Sequence, residues 1–114
     1  MKATLASFGF PDMKIWATEY GAPTNGPGAA ATVANYLIGQ SPDHVDEALQ
    51  AQMATQSVQL AKSSPLIAAL FWYTQTDAGT STADRENFFG LRRADGSGNP
   101  AYAALAQAIA AARR

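Results

Sequence analysis

Two short apolar runs and two longer helical ones alternate along the chain, each bounded by glycine, proline or serine. The first short run, residues 14–20 (KIWATEY), is rich in strand formers: Ile15, Trp16, Thr18 and Tyr20. Gly21 stops it just after the polar Glu19. The second, residues 66–74 (LIAALFWYT), is apolar on both alternating sets, the pattern of a strand buried on both faces in a parallel sheet. Ahead of the first run, MKATLASFGF predicts the last turns of a helix, with Gly9 in the left-handed region at its C-terminus and a turn at Pro11-Asp12. Between the strands, GAPTNGPG (21–28) is turn chemistry throughout, and AAATVANYL (29–37) predicts a short helix closed by Gly39 and Gln40. A long helix is expected from Pro42, capped by Ser41, to Lys62. Asp43, Asp46 and Glu47 suit its positive end, Val45, Leu49, Met53 and Leu60 form its apolar stripe, and Ser57 interrupts that stripe. After the second strand comes a polar loop from Gln75 to about Arg93, holding the Phe88-Phe89 pair. A DGSGN turn then leads into a final helix starting at Pro100, with Tyr102, Leu105 and Ile109 on one face.

The order is helix end, strand, loop, helix, strand, loop, helix. That is a βαβα unit of the α/β class, with a crossover long enough for parallel strands. Two strands cannot cover a sheet's faces and edges by themselves. The chain therefore reads as a piece of something larger or as a subunit that associates, with Ile15, Trp16, Leu70 and Phe71 on a sheet that keeps an unpaired edge. A twofold dimer is the default form of self-association.

Composition narrows the classes. The 114 residues amount to at most one domain. Eight basic and nine acidic residues leave a net charge of −1, which argues against a nucleic-acid surface or a polybasic membrane patch. There is no cysteine, hence no disulfide, thiolate metal site or thiol catalysis. No signal peptide stands out at the start, although a longer parent protein is compatible with secretion. The run from Leu66 to Tyr73 is far short of a membrane span.

In parallel α/β units the functional loops follow the carboxyl ends of the strands. Glu19 is the sharpest candidate: a strand-end carboxylate flanked by Trp16, Thr18 and Tyr20, of the type that attacks an anomeric carbon. Trp72 offers a flat face for a sugar, and Tyr73 and Gln75 lead into the following loop. A plain reading stands beside this one, with Glu19 a solvated strand end and Trp72 part of the core. Tyr20, opposite Glu19 by strand alternation, reads as packing. His44, the only histidine, falls in the first turn of the predicted long helix and reads as an ordinary surface residue. Asp77, Asp84 and Glu86 match no cation-loop spacing, so no metal is expected.

KIWATEYGAPT resembles the seventh strand of the clan A glycoside hydrolases, the retaining (β/α)8-barrel enzymes that include cellulases, xylanases and β-xylosidases. ALFWYTQTDAGT resembles their eighth strand, and ENFFGLRRADGSGNPAYAAL resembles the clan's closing stretch, through Asn87, Phe89, Gly90, Leu91, Pro100, Ala101 and Tyr102. The resemblance runs from about Phe8 to Ile109. It implies that residues 1–114 form a single partial domain, the last quarter of a TIM (β/α)8 barrel, with strands seven and eight and their helices. It implies Glu19 as the nucleophile of a retaining hydrolase of β-glycosides, Trp72 as the floor of the sugar subsite beside Tyr73 and Gln75, a carbohydrate ligand and no cofactor. The clan's acid/base Glu, usually preceded by Asn at the end of strand four, has no counterpart here. Asp77 and Glu86 remain as carboxylates that approach Glu19 or do not. The chain by itself is therefore expected to be inactive, a carbohydrate-binding or structural piece that self-associates or pairs with a missing N-terminal part of the barrel.

Overall fold

The computed structural model describes residues 1–37 and 39–114. Helix α1 (Lys2–Ser7) leads to β1 (Ile15–Tyr20), and the long connection that follows carries two tiny strands, β2 (Ala30–Ala31) and β3 (His44–Val45). Helix α2 (Glu47–Ser63), strand β4 (Ile67–Trp72), a single 3-10 turn (Arg85–Phe88) and α3 (Pro100–Ala112) complete the chain. Strands β1 and β4 are parallel neighbours, with Ile15 opposite Ile67 and Tyr20 opposite Trp72. The expected βαβα order is thus present, and Gly9 takes the left-handed conformation (φ 86°) just after α1.

Three local expectations are corrected. Residues 29–37 do not form a helix: Ala30 and Ala31 pair in parallel with His44 and Val45, and the chain turns at Thr32–Tyr36. Alanine's helix propensity there is overridden because a short ladder lets Ala31 and Val45 pack with Ala22 and Leu49 in one buried cluster. The long helix starts at Glu47, not near Pro42, because Asp46 rather than Ser41 is its cap, accepting from the Leu49 N–H at 2.7 Å. His44 consequently lies in β3 and is buried (8 % exposed), its Nδ1 3.2 Å from the Pro27 carbonyl oxygen.

Helix α2 buries Leu49, Gln50, Ala54 and Ser57, so Ser57 belongs to the packed face while Leu60 is exposed. Small residues suit that face because α2 lies against both α3 and β4. Gln50 is fully buried and its Nε2 donates to the Ala22 carbonyl (2.9 Å), which ties α2 to the loop after β1.

The sheet has two unlike faces. On one, Leu70 and Trp72 look toward α2 and α3, and a hollow lined by Ile67, Leu70, Trp72, Leu105 and Ile109 lies between them. On the other, Trp16 (65 % exposed) and Phe71 (47 % exposed) lie beside each other, ring centroids 6.0 Å apart. Strand β4 is therefore not buried on both faces as its sequence predicts.

Candidate functional site at the carboxyl end of the sheet

Beyond β4 the chain folds back on itself as a clasp. Leu91 N–H donates to the Thr74 carbonyl, Arg92 N–H to Gln75 and Asp77 N–H to Arg92, while Thr74 N–H donates to Phe89. Buried Gly90 and Asn99 close it. The Gly90 N–H donates to Asp77 Oδ1 (2.7 Å), and Asn99 Nδ2 donates to the Gly90 carbonyl (2.6 Å) while its Oδ1 caps α3 by accepting from Ala101 N–H. A Cβ at Gly90 would collide with Asp77 and Arg92, so glycine is required for this approach. Thr24 N–H donates to the Phe88 carbonyl (2.9 Å), joining the clasp to the loop after β1.

This junction shapes a cleft of ≈ 410 Å³ lined by Glu19, Tyr20, Gly21, Tyr73, Glu86 and Phe89. The strand pairing extends past β4 through the Tyr73 N–H, which donates to the Tyr20 carbonyl, and the β1–β4 register shifts between Ala17 and Tyr20, where Glu19 emerges. Gly21 allows the close approach of the two strand ends, since a Cβ there would strike the Tyr73 carbonyl oxygen. Tyr73 meets Phe89 edge to face at 5.4 Å. Tyr20 packs edge to face on Trp72 at 5.8 Å, and burial, followed by the neighbouring Tyr36, pushes its phenol above the ordinary value. Tyr20 thus packs on Trp72 and also lines the cleft beside Glu19, where regular strand alternation would have put the two on opposite sides.

The candidates separate. Glu19 and Tyr73 share the cleft. Trp72 does not line it: its indole faces the helix side, and its Nε1 donates to the Phe89 carbonyl (3.3 Å). Gln75 is exposed on the clasp and its backbone carbonyl serves the ladder. Of the two further carboxylates, Glu86 lines the cleft, placed there by the 3-10 turn whose cap, Asp84, accepts from the Glu86 N–H. Asp77 lies instead in a second hollow with Thr24, Asn25, Glu47, Arg93 and Asp95. Burial raises its carboxyl above the usual aspartate range against the lowering pull of the Gly90 N–H and of Arg93. Arg93 grips Glu47 in a two-pronged pair (2.9 and 2.6 Å), and Arg92 lies 4.2 Å from the Tyr102 ring centre.

Of the two carboxylates left open by the sequence, Glu86 shares the cleft with Glu19 and Asp77 does not, and Phe89 is the cleft residue that the sequence did not single out for it. The signal was the Phe88-Phe89 pair in an otherwise polar loop: Phe88 is buried and Phe89 faces the cleft. Among the described residues no group of three or more His, Asp or Glu is arranged to hold a metal ion, and no helix is long and apolar enough to cross a membrane.

No family model matches the sequence, and no curated protein does. Solved structures do. A GH5_18 protein from Streptomyces cattleya in complex with GlcNAc is similar at 23% identity and a TM-score of 0.62, over 88% of this chain and 20% of that one. A family 39 glycoside hydrolase from Bacteroides cellulosilyticus WH2 gives 23% identity and a TM-score of 0.64, over 88% of this chain and 17% of that one. A GH5_18 protein from Bifidobacterium longum subsp. infantis gives 19% and 0.59, over 89% and 20%. The chain thus spans about a fifth of the length of these structures. At such identities the likeness is one of fold: an α/β arrangement of parallel strands and helices consistent with part of a larger (β/α)8-type barrel.

Proposed function

We propose that residues 1–114 correspond to the strand seven–strand eight quarter of a retaining glycoside hydrolase barrel of the clan A type, and that Glu19 is its nucleophile. The observation that carries this reading is the position of Glu19: exposed at the carboxyl end of a strand, beside a parallel neighbour, in a cleft walled by Tyr73 and Phe89. In retaining hydrolysis the nucleophile and the acid/base lie about 5–5.5 Å apart across the scissile bond. Glu19 would attack the anomeric carbon and form a glycosyl-enzyme. A second carboxylate, supplied by the remainder of the barrel, would protonate the leaving oxygen and then activate water. Tyr73 is the better placed of the proposed sugar contacts. Trp72 would act from behind, fixing Tyr20 and Phe89, and Gln75 would reach a ligand only from the rim.

The 114 residues alone are read as inactive, with weak carbohydrate binding at most. The bare Trp16–Phe71 face supports this, because catalysis needs both carboxylates held in one site from which water is excluded. That face is completed by other barrel strands or by a second copy of the chain. The test is Glu19→Gln in the chain joined to a complementary remainder of the barrel. Turnover of activated aryl β-glycosides should fall by at least about 10³-fold with the fold retained. Undiminished turnover would remove Glu19 from the chemistry.

A further inference from the structure

The second half of the loop after β1, residues 25–28 (NGPG), which the hydrolase reading leaves without a role, holds the chain's Asn25-Gly26 pair. We propose that Asn25 is a site of spontaneous covalent modification, converting to aspartate and isoaspartate through a cyclic imide formed with the Gly26 nitrogen. Asn25 is exposed, and its side chain makes no hydrogen bond among the described residues except to its own successor. The Gly26 N–H donates to Asn25 Oδ1 (2.8 Å), so the side-chain amide is folded back onto the nitrogen with which it would form the imide. Gly26 adopts φ 141°, a conformation open to glycine, and without a side chain it does not shield its own nitrogen.

The step balances with water as the only co-reactant. The Gly26 nitrogen loses its proton and attacks Asn25 Cγ, the new N–Cγ bond forms, and the Cγ–Nδ2 bond breaks to release ammonia. Water then opens the imide. Attack at Cγ yields aspartate, and attack at the Asn25 backbone carbonyl yields isoaspartate, with one additional methylene in the main chain.

The other three asparagines are held out of this geometry. Asn35 Oδ1 accepts from Thr32 N–H, Asn87 Nδ2 donates to the Ser81 carbonyl, and Asn99 is buried and precedes Pro100, which has no N–H. The sister pair Asp95-Gly96 is also protected. The Gly96 N–H is engaged by the Arg93 carbonyl (2.8 Å), and the Asp95 carboxylate accepts from Ser97 N–H.

The consequence is local and directional. Asn25 lines the hollow that already holds Glu47, Asp77 and Asp95, so conversion adds a fourth carboxylate around Arg93. The isoaspartate form also lengthens the loop that Thr24 pins to Phe88, next to the turn carrying Glu86.

The test incubates the full chain at mildly alkaline pH beside the synthetic peptide GAPTNGPG, with peptide mapping that resolves isoaspartate. Residue 25 should convert first, at a rate within the same order of magnitude as the peptide, with Asn35, Asn87 and Asn99 intact. Asn25→Gln should abolish the early conversion. An Asn25 that stays intact while the peptide converts fully, or another asparagine converting first, overturns the proposal.

Discussion

The carboxyl end of β4 and the open face of its sheet are finished to different standards. Past Trp72 the chain enters a clasp in which Gly90, Phe88 and Asn99 are buried and the backbone groups of residues 74–78 find partners in residues 87–92. Along the strand itself, the front of the sheet leaves Trp16 and Phe71 in solvent. A region held by backbone bonds and buried side chains drawn from within a few dozen residues of chain is self-sufficient. An exposed aromatic pair on a two-stranded sheet is a surface awaiting a cover. The candidate cleft sits on the seam between the two, with its Phe89 and Glu86 wall built by the clasp and its Glu19 standing at the edge of the bare face. That placement is why we read the chain as holding one side of a site rather than a whole one.

The sharpest way to break the comparison is to open the clasp. Asn99→Ala removes both the α3 cap and the donor to the buried Gly90 carbonyl, at a cost of about 2–4 kcal/mol. Denaturant unfolding of that variant against the parent measures it, and a loss below about 0.5 kcal/mol would show that the clasp is not what stabilises this end. Trp16→Ser tests the opposite face. Mostly exposed in this chain, Trp16 should change unfolding by no more than about 0.5 kcal/mol, while the variant shifts toward monomer in sedimentation equilibrium. A large loss of stability with unchanged association would mean that the front face is packed within the chain.

A smaller effect is expected from Asp77. Its carboxyl is raised in the folded chain, so the folded state keeps a proton that the unfolded state has already released. Stability contributed by this group is therefore present in acid and is lost as pH rises from the usual aspartate range through the raised value. Asp77→Asn, which keeps an acceptor for the Gly90 N–H, should remove that downward slope from a plot of unfolding free energy against pH. An unchanged slope would place its origin elsewhere. The mildest change is Glu86→Gln: exposed and without a side-chain partner among the described residues, it should leave thermal unfolding unaltered.

The regular elements were readable because their signals are local. Strand-forming residues around Trp16, the apolar run ending in Trp72 and the Asn99-Pro100 start of α3 each carry their own cue. The connection between β1 and α2 departs from its local pattern because its conformation is decided at a distance. Ala31 and His44 take extended geometry to pair with each other's neighbours, and Asp46 outcompetes Ser41 as cap because the buried Val45 and Leu49 set where the helix can begin. Strand alternation likewise cannot say which face of β4 is covered, so Trp72 reads as a sugar platform until its indole is seen on the helix side, bonded to the Phe89 carbonyl. Glu19 stood out in the sequence, as did Tyr73. Their cleft mates Glu86 and Phe89 arrive from a loop that returns from beyond β4, which local pattern cannot orient.

The central claim, that Glu19 is a glycosidase nucleophile needing the rest of a barrel, is tested most directly by trapping. A fluorinated glycoside that accumulates the glycosyl-enzyme is offered to the isolated chain and to the chain extended by a complementary remainder of the barrel, followed by peptide mass mapping. Stoichiometric label on the peptide containing Glu19 in the extended protein, and none in the isolated chain, is the predicted result. Label on a different carboxylate of the extended protein, or full labelling of Glu19 in the 114 residues alone, would contradict it.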